Sequence, residues 1–184
     1  HIDVMDHHYV ENFTFGPMIC EHLQRFGLKA PMDVHLMVQP AEPLIKLALQ
    51  QGATSIAFHP KTVTHPLNCL KHIQQESCQA ALALNPDEPI EDIIPYFDHC
   101  DYLLIMSVHP GFSGQSFLKE SISKIKQLKT ELHKHKASCK IMVDGGINAD
   151  NAREISAAGA DILVAGSGLF SFPPYTEQLK KLRP

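Results

Sequence analysis

Two histidines and two aspartates stand at the ends of apolar runs: His1 and Asp3 in HIDVM, His35 in DVHLM and Asp144 in IMVDGG. Buried strand interiors rarely carry charge, so an imidazole or a carboxylate at a strand end needs a reason. Imidazole nitrogens and carboxylate oxygens together suit one divalent cation of the Zn²⁺, Fe²⁺, Mn²⁺ or Co²⁺ type. Two carboxylates on one cation can also face a substrate from opposite sides. That pairing points to proton transfer beside a carbonyl, with one group removing a proton and the other returning it. The structural alternative is ordinary: a lone strand-end His is commonly a satisfied polar residue, and an Asp before Gly-Gly commonly belongs to a turn. The four together, each at a strand end, favour the metal.

Glycine clusters follow the last three apolar runs: Pro110-Gly111-Phe112-Ser113-Gly114-Gln115, Gly145-Gly146 and Gly166-Ser167-Gly168. Backbone N–H groups in such loops approach an anion closely and hold phosphate without cationic side chains. Met5, Met37 and Met106 also lie near run ends. Methionine there usually packs a core. Beside reacting carbons it also makes an apolar wall that keeps water from a carbanion-like intermediate.

These residues must be positioned by the elements around them. Short β-branched or apolar runs fall at about 2–5, 32–38, 55–59, 79–84, 102–108, 140–144 and 161–165. Helical spacing lies between them. Leu67, Leu70 and Ile73 form one stripe behind Pro66, with Thr64 as the expected cap. Ile90, Ile93 and Ile94 follow Asp87 in the same way, and Leu118, Ile122, Ile125, Leu128 and Leu132 line a longer helix. Asn148 opens another containing Ile155, and the lysines of 119–140 form a solvated helix face. One junction recurs: Gln51-Gly52-Ala53-Thr54-Ser55-Ile56 resembles Ala158-Gly159-Ala160-Asp161-Ile162-Leu163. In both, glycine ends a helix in the left-handed region and a buried strand begins.

Repeated βα units with near-continuous apolar strands predict a parallel sheet covered by helices. Candidate ligands at the C-terminal ends of strands distant in sequence favour a (β/α)₈ TIM barrel of the phosphate-binding type, where such ends meet on one face. The phosphate loops after its last strands fit the same fold. Seven units are visible, so the expected barrel lacks its first βα unit, roughly 30 residues ahead of His1.

Composition bounds the function. The chain has 184 residues, 44% of them hydrophobic, and is read as one domain over 1–184. A net charge of −4 gives no footprint for nucleic acid or an anionic membrane surface. No apolar stretch reaches the length of a membrane span. Five cysteines without a CxxC pair suggest reduced thiols and a cytoplasmic location. The remaining histidines, such as His8, His22, His65, His72, His99, His133 and His135, read as surface or loop residues.

HIDVMDHHYVENFTFGP, DVHLMV, ALNPDEPIEDI, LLIMSVHPGFSGQSF, VDGGIN and GADILVAGS together resemble the ribulose-phosphate 3-epimerase family, in order and spacing from residue 1 to about 170. The resemblance implies a (β/α)₈ barrel that interconverts D-ribulose 5-phosphate and D-xylulose 5-phosphate in the pentose phosphate pathway. It implies one divalent metal on His1, Asp3, His35 and Asp144, with Asp3 and Asp144 also the acid/base pair, Asp3 as acceptor and Asp144 as donor. It places His35, Gly111, Phe112, Ser113, Gly114, Gly145, Gly146, Gly166 and Ser167 against substrate and phosphate, and Met5, Met37 and Met106 around an enediolate. No organic cofactor is expected, the partner is a small sugar phosphate, and a homo-oligomer is expected.

Some positions depart from the family's pattern. His7 stands where Gly is common, Glu11 where Pro is common, and Ser113 where the first of two glycines is common. His109 replaces an Asn, Asp or Glu, and Lys61 follows His59-Pro60 where many relatives have Glu. A Ser at a positive-φ position would be strained. Two other functions fit the same residues: an allulose-6-phosphate 3-epimerase, and a non-catalytic sugar-phosphate-binding barrel.

Overall fold

Each apolar run forms a strand in the computed structural model, which describes residues 1–183. The strands are β1 (Ile2–Met5), β2 (Asp33–Met37), β3 (Ser55–Phe58), β4 (Gln79–Leu84), β5 (Tyr102–Met106), β6 (Lys140–Asp144) and β7 (Ile162–Val164). They follow chain order in a seven-stranded sheet, β1-β2-β3-β4-β5-β6-β7. The β1/β2, β2/β3, β3/β4 and β6/β7 pairs are parallel. Helices α1 (Ile19–Arg25), α2 (Glu42–Gln50), α3 (Pro66–Gln75), α4 (Ser121–His135), α5 (Ala152–Ala158), α6 (Ser167–Phe170) and α7 (Tyr175–Leu182) lie between and after them. This is the α/β class predicted from the alternation. Among the described residues no helix is long and apolar enough to cross a membrane.

The chain divides into two compact units, one of His1–Ala83 with His99–Tyr102, the other of Leu84–Asp98 with the residues from Leu103 onward. In the first, all four residues of β3 are buried. A strand covered on both faces reads as a continuous apolar run, not as an alternation. Each fully buried Ile or Leu contributes about 1.5–3 kcal/mol of transfer free energy. In the second unit, Ile125, Leu128 and Leu132 of α4 are buried, as their helical spacing predicts.

Local details correct three expectations. His65, not Thr64, is the N-cap of α3, and no side chain caps it. The segment after Asp87 forms 3₁₀ turns at Ile90–Asp92 and Ile94–His99 rather than an α-helix. Pro95 lacks the N–H that an α-helix would need at that point. Lys124 does not join the solvated lysine face. It is half-buried, and its Nζ donates to the carbonyls of Asn85, Pro86 and Glu88 at 2.9, 2.5 and 2.6 Å. The two junction glycines do take positive φ, +83° at Gly52 and +123° at Gly159.

Candidate metal and proton-transfer site

In the first unit, register assembles the chemistry. Asp3 pairs with His35 and Met5 with Met37 across β1 and β2. Side chains alternate along a strand, so His1, Asp3 and Met5 share a face, as do Asp33, His35 and Met37. Asp3 Oδ1 stands 3.2 Å from His35 Nδ1 and 3.4 Å from His1 Nε2. Ligands about 2.1 Å from a common cation stand ~3.0 Å apart at octahedral angles and ~3.4 Å apart at tetrahedral angles. The spacing of these three donors therefore fits a shared divalent ion.

Both imidazoles are held from behind. His1 Nδ1 lies 2.6 Å from Asp33 Oδ2. Asp33 Oδ1 accepts from Ser55 Oγ at 2.6 Å and from the Tyr102 hydroxyl. Ser55 is the direct β3 partner of Asp33, and Ala57 of His35. Two residues after Ala57 comes His59, fully buried, whose Nε2 lies 3.0 Å from His35 Nε2. The Tyr9 ring packs on His59 with centroids 4.7 Å apart.

Charge follows from these contacts. Burial would raise the Asp3 carboxyl, but hydrogen bonds from His1 and His35 outweigh it and hold Asp3 well below the usual carboxylate range. Burial works against a charged His1, yet its hydrogen bonds to Asp3 and Asp33 push it up to about 10. Burial, with His35 beside it, drives His59 far below the ordinary histidine value, so it is neutral. Burial and the Asp33 anion together push the Tyr102 hydroxyl up.

In the second unit, Asp144 ends β6, half-buried. Its carbonyl accepts from Ser107 N at 2.7 Å, and the buried Ser107 hydroxyl lies 2.8 Å from Asp144 O and 2.7 Å from Gly145 O. A Cβ on Gly146, where φ is +65°, would stand 2.4 Å from Phe117 N, so packing and backbone conformation both require glycine there. Gly166 differs: its φ is not positive, and a Cβ would meet nothing within 4 Å. In the 110–115 loop the positive φ values fall on Gly111 and Gly114, not on Ser113, so Ser113 is unstrained. Gln115 Nε2 braces that loop by donating to His109 O and Phe112 O at 2.7 and 2.9 Å.

A profile of the Ribulose-phosphate 3 epimerase family matches residues 1–170. The chain belongs to that family. A ribulose-phosphate 3-epimerase of Serratia marcescens is 43% identical over 175 residues, 95% of this chain and 83% of the relative. One of Escherichia coli (strain K12) is 40% identical over 183 residues, 100% of this chain and 81% of the relative. Among solved structures, a 3-hexulose-6-phosphate synthase from Salmonella typhimurium aligns with a TM-score of 0.63 at 14% identity, covering 89% of this chain and 76% of that one. A tryptophan synthase α-subunit from Pyrococcus furiosus aligns with a TM-score of 0.63 at 14% identity, covering 90% and 71%. At such identity these two speak for fold alone, an α/β fold of the expected TIM-barrel class with seven strands among the described residues.

Within this epimerase-family chain, the first unit brings His1, Asp3 and His35 together, with ligand atoms within 4.8 Å of one another. Met5 and Met37 are buried on neighbouring strands, and Met106 is buried at the end of β5. Gly145 and Gly146 lie on a loop of the second unit, Gly166 is the N-cap of α6 and Ser167 its first residue, and Phe112 of the same unit is 56% exposed. Sequence reasoning missed Asp33, Ser55, His59, Tyr102 and Ser107. Asp33 carried a signal, since it lies two residues before His35 on the same face of a buried strand. His59 carried one too, as a histidine directly after an apolar run. Ser55, Tyr102 and Ser107 carried none.

Proposed function

We propose that this chain is a ribulose-phosphate 3-epimerase, interconverting D-ribulose 5-phosphate and D-xylulose 5-phosphate by inversion at C3. The observation that carries the reading is Asp3 Oδ1 between two imidazole nitrogens, at 3.2 and 3.4 Å. It is a carboxylate kept ionised and fixed in place. His1, Asp3, His35 and Asp144 are the proposed ligands of one divalent cation of the Zn²⁺, Fe²⁺, Mn²⁺ or Co²⁺ type. A cation held there would supply Lewis-acid stabilisation of the negative charge that develops on the substrate oxygens.

The protein's own groups then move protons. The ionised Asp3 takes the proton from C3. The C–H electron pair forms the C2–C3 double bond, and the carbonyl pair moves to the C2 oxygen, giving an enediolate. Asp144, protonated at the start, gives its proton to C3 from the opposite face and ends ionised. A single base would tend to return its proton to the face it came from, so inversion uses two groups. In the reverse direction the roles exchange. Met5, Met37 and Met106 present thioethers that keep water from the enediolate. His35 borders the substrate as well as the cation. Gly111, Phe112, Ser113, Gly114, Gly145, Gly146, Gly166 and Ser167 form the substrate and phosphate loops, with backbone N–H groups as donors. Gly166 supports this, because neither packing nor conformation explains glycine there. No organic cofactor enters the scheme.

The test is a side-by-side assay of metal-loaded protein on D-ribulose 5-phosphate and D-allulose 6-phosphate, with deuterium uptake at C3 followed in D₂O. The pentose phosphate is the expected substrate. Asp144→Asn is expected to lower turnover about 10²–10⁴-fold in a folded protein, with bound metal measured separately. Preference for the hexose phosphate would overturn the substrate assignment. Sugar-phosphate binding without deuterium uptake would identify a binding barrel instead.

A further inference from the structure

Asp33 is an acid in the interior of a protein, and its side chain is only 16% exposed. Three groups converge on its carboxylate: His1 Nδ1 on one oxygen, and the Ser55 and Tyr102 hydroxyls on the other. The two hydroxyls donate, so they fix the plane of the carboxylate and leave Oδ2 to the imidazole. Ser55 reaches Asp33 because the β2/β3 register sets them side by side. Tyr102 comes from β5, at the far end of the sequence segment that completes this unit.

We infer that Asp33 is a positioning residue. Its carboxylate, clamped by Ser55 and Tyr102, fixes the His1 ring so that Nε2 is the metal-facing nitrogen and strengthens that nitrogen as a ligand. The inference rests on the metal site proposed above. An imidazole that binds metal through one nitrogen is oriented and made more basic by a carboxylate on the other. The His1 geometry matches: Nδ1 is 2.6 Å from Asp33, and Nε2 faces Asp3 at 3.4 Å. His35 provides an internal contrast, since its outer nitrogen faces the neutral imidazole of His59 rather than an anion. The two histidines are thus built as unequal ligands. The His1 side chain is only 13% exposed, and the Asp33 carboxylate holds its ring in place.

The experiment titrates Co²⁺ into the full chain and its variants, following affinity and the visible absorption of the bound ion. Circular dichroism checks that each variant is folded. Asp33→Asn is expected to weaken Co²⁺ binding about 10–100-fold and to change the absorption spectrum. In a His1→Ala background, the same substitution is expected to cost no further affinity, because its effect passes through His1. Tyr102→Phe and Ser55→Ala each remove one donor and are expected to weaken binding about fivefold, which keeps the test decisive if Asp33→Asn does not fold. Unchanged affinity in the folded variants, or a loss that adds in full to that of His1→Ala, would overturn the positioning role while leaving the metal site standing. Failure of the unaltered protein to bind Co²⁺ would instead overturn the metal site and the inference with it.

Discussion

His35 Nε2 and His59 Nε2 lie 3.0 Å apart, so one ring donates and the other accepts. His35 turns Nδ1 toward Asp3. With the proposed cation bound at Nδ1, that nitrogen would offer its lone pair, and the proton of His35 would sit on Nε2 and be donated to His59. His59 would then carry its own proton on Nδ1, which has no hydrogen-bond partner among the described residues. Substituting His59→Phe fills the space but removes the acceptor. In metal-loaded protein the stranded His35 N–H is expected to cost about 1–3 kcal/mol of stability, read from urea unfolding. His59→Gln, which retains an acceptor oxygen, is expected to recover part of that loss. Equal stabilities for the two variants would rule out the tautomer assignment.

Ser107 does for Asp144 what strand pairing alone does not. Its N–H and hydroxyl both reach the backbone where β6 ends, at Asp144 and Gly145. Ser107→Ala removes the hydroxyl and leaves two carbonyls with one donor fewer. The expected result is a loss of about 1–3 kcal/mol in stability and a drop in kcat of about tenfold or more from misplacement of the Asp144 side chain. KM is expected to move little. A variant with the stability loss but unchanged kcat would confine Ser107 to folding.

The legible part of this molecule was periodic or terminal. Seven apolar runs read as strands because β-branched and apolar residues are continuous where a parallel sheet is covered on both sides. His1, Asp3, His35 and Asp144 drew notice as polar residues in or beside such runs, although only Asp144 ends its strand, while Asp3 lies within β1 and His35 at the middle of β2. What supports them was not legible. Asp33 and Tyr102 lie 69 residues apart and meet only through the fold. Ser55 becomes a partner of Asp33 only once the register is known, since a one-residue slip would turn it to the other face. The segment after Asp87 had helical spacing, but Pro95 removed a hydrogen bond that the spacing does not register.

His7 takes φ +62°, the left-handed region, where the family commonly has glycine. A non-glycine residue there is strained by roughly 1–2 kcal/mol. The ring offsets part of this through Nδ1, 2.5 Å from the carbonyl of Glu11. His7→Ala keeps the strain and loses that contact, while His7→Gly loses both. His7→Gly is therefore expected to be about 1 kcal/mol more stable than His7→Ala, with unaltered protein between them or close to the glycine variant. Thermal melts of the three proteins measure this order. An alanine variant as stable as the glycine one would show that the loop relaxes out of the left-handed conformation.

Asp6 makes the same loop sensitive to acid. Partial burial would raise its carboxyl, but N–H donors from Gln39 at 2.8 Å, Tyr9 at 3.0 Å and His8 at 2.8 Å outweigh this and lower it. A folded value below the unfolded one means the unfolded chain binds more protons in the acid range. The stabilisation from Asp6 is then complete above the unfolded pKa, about 3.9, and is lost as pH falls through the lower folded value. Asp6→Asn removes this linkage and presents an amide N–H₂ toward one of the donors. The unaltered protein is expected to be the more stable at neutral pH, with the gap to Asp6→Asn narrowing below about pH 4. Urea unfolding of both proteins between pH 3 and pH 7 measures the gap. A constant gap across that range would mean the carboxylate contributes through packing rather than through charge.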